Sequence, residues 1–336
     1  MKTKILKSQD GIQEAAQLLK SGQVVGIPTE TVYGLGANAL DKSAVLKIFA
    51  AKGRPADNPL IVHIADLDEL SALTNEIPEK AKKLANAFWP GPLTMIFKSN
   101  GVVPKETTGG LDTVAVRFPV HPTANEIIKA SGLPIAAPSA NLSGKPSPTC
   151  ADHVFNDMNG KIPLIIDGGE CDVGVESTVI SMVCEPPLLL RPGGVTREQI
   201  ESVIGKINVD PSVGGNVHVE KASSPGMKYK HYSPNAKVIL IHSESSEYIK
   251  FVNSQNDESP LALCFDEEAP FIYIPFISLG KQKNYESQAH ELFSALRRAD
   301  ETGSKTVYAH CPSKDGVGLA VFNRLVRAAG FDERWL

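Results

Sequence analysis

Residues 23–36 read Gln23-Val-Val-Gly-Ile-Pro28 and then Thr29-Glu-Thr-Val-Tyr-Gly-Leu-Gly36. The first six residues are a short apolar run closed by proline, the pattern of a buried strand. Upstream, Ile12, Ala15, Ala16 and Leu19 recur at helical spacing between Ser8 and Ser21, and Gly22 supplies the stop. Downstream come two threonine hydroxyls, a tyrosine and two glycines. A hairpin turn would account for the glycines but not for the threonines. Helix, buried strand and polar loop form the unit of an α/β sheet, which binds ligands beyond the ends of its strands.

The same unit recurs along the chain. Asp41 caps a helix that Gly53 ends, Leu60–Ala65 is a strand, and Pro78–Phe88 is a helix. Strands are expected at Leu93–Lys98, Thr113–Phe118, Pro134–Ala137, Lys161–Ile166, Ser177–Val183 and Leu188–Arg191, with helices near Thr123–Ala130 and Thr196–Ile204. Elements that alternate and then run strand after strand predict a sheet of mixed direction. Apolar periodicity stops between Val209 and Asn235, in a stretch rich in Gly, Pro and Ser that reads as a linker. Its centre, Pro225-Gly-Met-Lys-Tyr-Lys-His-Tyr-Ser-Pro234, carries more aromatic and basic residues than a spacer needs. Beyond it, strands at Lys237–Ile241, Leu261–Phe265, Phe271–Pro275 and Thr306–His310 alternate with helices near Glu247–Ser254, Tyr285–Ala299 and Leu319–Ala329. The expected organisation is a catalytic α/β domain over 1–208, a linker over 209–236 and a smaller Rossmann-like α/β domain over 237–336.

Composition narrows the function classes. The 336 residues are 42% hydrophobic and 21% charged, with a net charge of −4. A protein that lives on a nucleic-acid backbone usually shows a basic surplus, and this chain has none, so an RNA-binding module is the weaker reading. No apolar run is long enough for a membrane span or a secretory leader. Five scattered cysteines contain no C-x-x-C pair, which argues against a zinc knot or a disulfide framework and for a reducing, cytoplasmic setting. Neither G-x-G-x-x-G nor G-x-x-x-x-G-K-[ST] occurs. A serine acyl-transfer site built on Ser139-Ala-Asn141 lacks its lysine, because the only S-x-x-K, Ser278–Lys281, lies in the other domain.

Polar clusters follow several first-domain strands. Lys52-Gly-Arg-Pro-Ala-Asp-Asn-Pro59 puts two cations in a proline-stiffened loop suited to phosphate oxygens. His63 stands inside a strand, where a lone histidine is more often structural. Thr113, Ala115 and Arg117 share one strand face, and Arg117 there calls for a carboxylate or phosphate partner, from a substrate or from the protein. Ala136–Pro148 gathers hydroxyl and amide side chains after a strand, and Ser177-Thr178 pairs with Leu190-Arg-Pro-Gly-Gly194.

Together, PTETVYGLG, KGRPADNPL with its K-x-R, WPGPLT (89–94), VRFP, PSANLSG with its S-x-N, and LRPGG resemble the Sua5/YrdC family of threonylcarbamoyl-AMP synthases in order and spacing. The linker PGMKYKHYSP and the domain after it are similar to the long, Sua5-type branch. The resemblance implies a YrdC-like twisted mixed sheet with a concave pocket. It also implies a nucleotidyltransferase that joins L-threonine, bicarbonate or CO2 and ATP into threonylcarbamoyl-AMP and pyrophosphate. That product serves N6-threonylcarbamoylation of adenosine 37 in tRNAs reading codons that begin with A. It assigns Thr31, His63, Arg117, Ala137 and Ser177 to L-threonine, with Arg117 on its carboxylate. It assigns Arg54, Asn58, Thr113, Ser139, Ser147 and Arg191 to ATP, with Lys52 and Asn141 completing their motifs. Tyr229, His231 and Tyr232 are expected to fold over the mouth as a lid. Mg2+ is expected with ATP, with no protein ligand assigned. Transient hand-over of product to the tRNA threonylcarbamoyltransferase machinery and at most weak tRNA binding complete the expectation.

Overall fold

The helix read at Ser8–Ser21 forms at Ser8–Lys20 and buries Gly11, Ala15, Ala16 and Leu19. Asp41 caps Lys42–Lys52 by accepting from the Ser43 amide, and Gly53, at φ 61°, closes it in the left-handed region that glycine tolerates. Thr196 and Gln199 form a reciprocal capping box before Arg197–Ile204. The computed structural model describes residues 2–55, 58–214 and 232–336.

In chain order the first eleven strands are β1 (Lys4–Lys7), β2 (Val25–Ile27), β3 (Gly34–Asn38), β4 (Ile61–His63), β5 (Leu93–Lys98), β6 (Thr113–Arg117), β7 (Ile135–Ala136), β8 (Leu164–Asp167), β9 (Thr178–Ser181), β10 (Leu188–Arg191) and β11 (Asn208–Val209). They form one sheet in the order β1-β8-β2-β3-β7-β4-β6-β5-β9-β10-β11. Its pairing is mixed: β4 runs parallel to β6, while β5 runs antiparallel to β6. The remaining strands, β12 (Lys237–His242), β13 (Pro260–Cys264), β14 (Phe276–Ser278), β15 (Thr306–His310) and β16 (Glu333–Trp335), form a wholly parallel sheet in the order β14-β13-β15-β12-β16. Both sheets are the α/β type read from the sequence. No helix among the described residues is long and apolar enough to cross a membrane.

Several elements differ from the sequence reading. The stretch 34–38 is strand β3 rather than loop, pairing antiparallel with β2 and β7. No strand covers Phe271–Pro275. Residues Ala269–Phe271 make a 3-10 turn, Tyr273 stands 85% exposed, and β14 begins only after Pro275, which has no N–H for a ladder. Edge strands β1 and β16 carry too few apolar residues to announce themselves.

The segment read as a linker is structured at both ends. Asn208 and Val209 pair with Leu188 and Leu189, and Pro211–Gly214 forms a 3-10 turn with Ser212 and Val213 buried. At the other end Tyr232 and Ala236 belong to the second sheet's apolar core, which also takes in Val32 and Val175 from beside the first sheet. Helix Tyr285–Glu301 fixes the contact with Arg297, which pairs with Asp157 at 2.7 Å and donates to the Pro146 carbonyl at 2.6 Å.

Candidate functional site

The strand ends converge on one pocket lined by residues from several of the motifs. Position along the strands explains the convergence. His63 ends β4 directly beside Arg117, which ends β6, and Thr94 of β5 faces Arg117 from the other side. Thr29 and Thr31 follow β2, where the Thr29 hydroxyl donates to the Val32 carbonyl at 2.6 Å and lies 2.9 Å from the Thr31 hydroxyl. Ala137 and Ser139 follow β7, and Ser139 bridges back to Gly34.

Of the residues singled out for threonine, Thr31, His63, Arg117, Ala137 and Ser177 all line this pocket. Of those singled out for ATP, Arg54, Ser139 and Arg191 line it, and so does Tyr232 from the expected lid. Tyr229 and His231 lie outside the described residues.

The other ATP candidates sit elsewhere. Lys52 lies outside the pocket lining. It is buried, and its ammonium donates to the carbonyls of Ser139 and, at 2.8 Å, of Asn141, with the Asn141 side-chain oxygen at 3.4 Å. Its donors are therefore spent on holding the 139–141 loop. Burial first, and the neighbouring Arg54 second, push its pKa well below the usual lysine value. Asn141 clasps the same loop, donating to the carbonyls of Leu142 and Lys145, each at 2.8 Å. Ser147 is fully buried behind the wall, 2.6 Å from a Glu176 oxygen. Thr113 shares the Arg117 face of β6 but lies four residues away, about 13 Å along a strand. Asn58 is buried with neither amide atom hydrogen-bonded, and it is not in the pocket lining.

Two carboxylates that the sequence reading passed over organise the charges. Glu30 pairs with Arg117 at 2.6 Å, both side chains almost wholly buried, and Arg117 also donates to the Thr31 hydroxyl at 2.8 Å. Burial pushes the Glu30 carboxyl up, but Arg117 outweighs it and holds the group below the usual glutamate range. Glu176 lines the pocket and pairs at 3.0 Å with Arg324, which lies in helix Gly318–Ala328 of the second sheet's layer. Arg191 donates to the Ser177 carbonyl through Nε at 3.1 Å and Nη2 at 3.0 Å. Burial lowers Arg191 to about 10, so it stays cationic at neutral pH. His63 is lowered to about 3, by burial first and by Arg117 second, so it is a neutral imidazole with its Nδ1 free of protein partners. Only Glu30, beside Thr29 and Thr31 in a polar loop, carried a sequence signal that could have marked it.

The pocket can thus take a ligand with anionic groups at more than one point, on Arg54, Arg117 and Arg191, with hydroxyls between them. It contains no nucleophile–base pair among the described residues. Such a site can place reactants and neutralise charge.

Comparison with known proteins extends over the same ground. A family model for Sua5, YciO and YrdC proteins, described as "Telomere recombination", matches residues 17–193. A second, described as "Threonylcarbamoyl-AMP synthase, C-terminal domain", matches 195–330. Threonylcarbamoyl-AMP synthase of Pyrococcus abyssi is 50% identical over 329 residues, covering 95% of this chain and 94% of that protein. The Bacillus subtilis enzyme of the same name is 50% identical over 324 residues, covering 95% and 93%. The crystal structure of P. abyssi Sua5 complexed with L-threonine superposes with a TM-score of 0.92 at 47% identity, covering 99% of this chain and 100% of that one.

Proposed function

The chain belongs to the Sua5/YrdC family in its two-part, Sua5 form, and from that premise we propose that it is an L-threonylcarbamoyladenylate synthase. The reaction takes L-threonine, bicarbonate or CO2, and ATP to threonylcarbamoyl-AMP and pyrophosphate, with water released when bicarbonate is the carbon source. The product feeds N6-threonylcarbamoylation of adenosine 37 in tRNAs reading codons that begin with A. The observation that carries this reading is half-identity, across both parts of the chain, to relatives bearing that enzyme's name. The pocket supplies the chemistry to go with it.

Arg117, already oriented by Glu30 and Thr31, offers its fork to the threonine carboxylate. His63, neutral and in the pocket lining, adds no positive charge beside the amine. Once the amine has trapped the carbon source as a carbamate, a carbamate oxygen attacks the α-phosphorus and pyrophosphate leaves. That step asks for alignment and for cations near the leaving phosphates, and Arg54 and Arg191 are the pocket's candidates. ATP enters as its Mg2+ complex. The carboxylates nearest the pocket, Glu30 and Glu176, are each committed to an arginine, so the ion is expected to travel on phosphates and water. Tyr232, in the wall and at the end of the linker, is the part of the lid that the described residues include; such a cover protects a carbamate and an adenylate from water.

We place the reaction in the cytoplasm, in keeping with five unpaired cysteines, and expect the labile product to pass to the tRNA-modifying transferase. Purified protein should release pyrophosphate from ATP only when L-threonine and bicarbonate are both present. Pyrophosphate release independent of threonine would refute the proposal.

A further inference from the structure

Glu176 is a carboxylate in the wall of a pocket that has to hold a triphosphate. Left ionised and alone, it would oppose the ligand and cancel part of the field of Arg191. It is not alone. One oxygen accepts from the Ser147 hydroxyl at 2.6 Å, and the other faces Nε of Arg324 at 3.0 Å. Burial pushes the Glu176 carboxyl up, but Arg324, Arg191 and Ser147 overcome it and keep the group below the usual glutamate range.

Arg324 comes from the last helix of the chain, 148 residues downstream, and is wholly inaccessible to solvent. It grips the wall at more than one point. Nη1 donates to the Pro192 carbonyl at 2.6 Å, one residue beyond Arg191, and Nη2 lies 3.5 Å from the Glu176 carbonyl. The centre of its guanidinium stands 6.0 Å from the ring of Tyr232, which also lines the pocket. The next residue after Glu176 is Ser177, whose carbonyl receives Arg191. Fixing Glu176 therefore also fixes the platform that aims Arg191.

Packing alone does not call for this pair, because an apolar pair of similar volume fills a buried space at least as stably as an ion pair. A charged pair beside an anion pocket has a use that an apolar pair lacks. It turns a repulsive carboxylate into a neutral, hydrogen-bonded strut. We infer that Arg324 is a positioning residue for ATP, through which the second parallel-sheet unit neutralises Glu176 and sets Arg191 in the wall of the first unit's pocket. The inference rests on the proposed reaction only for the identity of the anion. It gives the second unit a direct part in nucleotide binding, separate from any covering role of the linker.

The test uses the full chain. Arg324→Met should weaken ATP tenfold or more, in KM and in calorimetric binding of a non-hydrolysable ATP analogue, and should change the threonine KM less than threefold. Adding Glu176→Gln to Arg324→Met removes the stranded charge and should restore ATP affinity to within threefold of wild type. A merely structural arginine predicts that both KM values move together and that Glu176→Gln rescues nothing; either result overturns the inference. Should Arg324→Met be insoluble, Arg324→Gln keeps a donor without the charge, and a folded Arg324→Gln protein with wild-type ATP affinity overturns it equally. Wild-type protein that binds the analogue but makes no threonine-dependent pyrophosphate would remove the proposed reaction and leave this inference standing.

Discussion

Arg117 has two partners to satisfy, and separating them is the sharpest test of the site. On the protein side it meets Glu30 at 2.6 Å, with side chains 4% and 3% exposed. On the ligand side it is proposed to hold the threonine carboxylate. Arg117→Met removes both at once and strands a buried carboxylate, a change that costs roughly 3–5 kcal/mol when a buried pair is broken. For a chain this long that corresponds to a fall in melting temperature of roughly 4–7 °C. The loss should shrink as pH falls. In the wild type, Glu30 is held below the usual range, so its contribution is complete above the unfolded glutamate value and fades below it. Without Arg117, burial alone raises the carboxyl, so the variant regains stability as Glu30 takes up a proton on acidification. Arg117→Met with Glu30→Gln should recover most of the stability at pH 7, since a neutral amide replaces the stranded charge. It should not recover threonine use, because the fork contact is still gone. Losing a charge-assisted bidentate bond of about 1.5–3 kcal/mol raises the threonine KM roughly 10–100-fold. The assays are thermal melts at pH 5 and 7 and threonine-dependent pyrophosphate release. If the double variant regains normal threonine KM, Arg117 serves only to pair Glu30 and the substrate role is wrong. If Arg117→Met melts like the wild type, the pair's stated cost is wrong.

Three further outcomes follow from individual contacts. His63 is lowered to about 3, so its neutral, buried state supports the fold above pH 6.5, and that support drains as pH falls from 6.5 toward 3. Between pH 6.5 and 5 the loss is roughly 2 kcal/mol, at about 1.36 kcal/mol per pH unit; urea titrations should show His63→Gln lacking that part of the slope, and parallel slopes would contradict the assignment. Lys52→Met should unpin the carbonyls of Ser139 and Asn141, costing about 1–3 kcal/mol for each donor-less acceptor before relief of the buried cation is set against it. It should also raise the ATP KM through movement of Ser139, and a variant with unchanged ATP KM would show that the loop holds itself. Gly193→Ala puts a Cβ 2.3–2.5 Å from the Thr178 amide nitrogen, the Glu176 carbonyl oxygen and the Ser177 carbonyl carbon, all main-chain atoms that cannot turn aside. It should destabilise by roughly 3 kcal/mol or more, within the range for severe overpacking, and a melt within 2 °C of wild type, about the shift expected from 1 kcal/mol or less, would rule out the close approach.

Much of the pocket could be read from sequence because its residues sit where an α/β sheet must leave strand ends open. Thr31 follows a strand, His63 and Arg117 end strands, Ser139 follows one and Arg191 ends one, and each local run signals its strand by apolar content. What stayed hidden depends on side chains meeting across long separations. Lys52 has the composition of a phosphate ligand, and only the packed loop at 139–141 shows that its ammonium is already used. Arg324 lies on a helix whose sequence alternates Arg and Asn with apolar residues, as a half-solvated helix does, yet Asn323, Arg324 and Arg327 are all buried against the first unit. Asn323 donates to the Val213 carbonyl at 3.0 Å and Arg327 to that of Ser212 at 3.2 Å. No periodicity reports that kind of burial, because the partners are backbone carbonyls and one carboxylate from a segment more than a hundred residues away.

These hidden contacts share a logic that the one-off motifs do not show by themselves. An arginine that must meet an anion cannot spend binding energy on being arranged at that moment, since transition-state stabilisation depends on groups fixed beforehand. In this chain Arg117 is set by Glu30 and the Thr31 hydroxyl, and Arg191 by the Ser177 carbonyl. The wall that carries Ser177 is in turn set by Arg324 through Glu176. A single-sheet pocket could supply the first two of these arrangements but not the third, which needs a cation arriving from behind the wall. The second unit provides it, and so belongs to the architecture of the pocket.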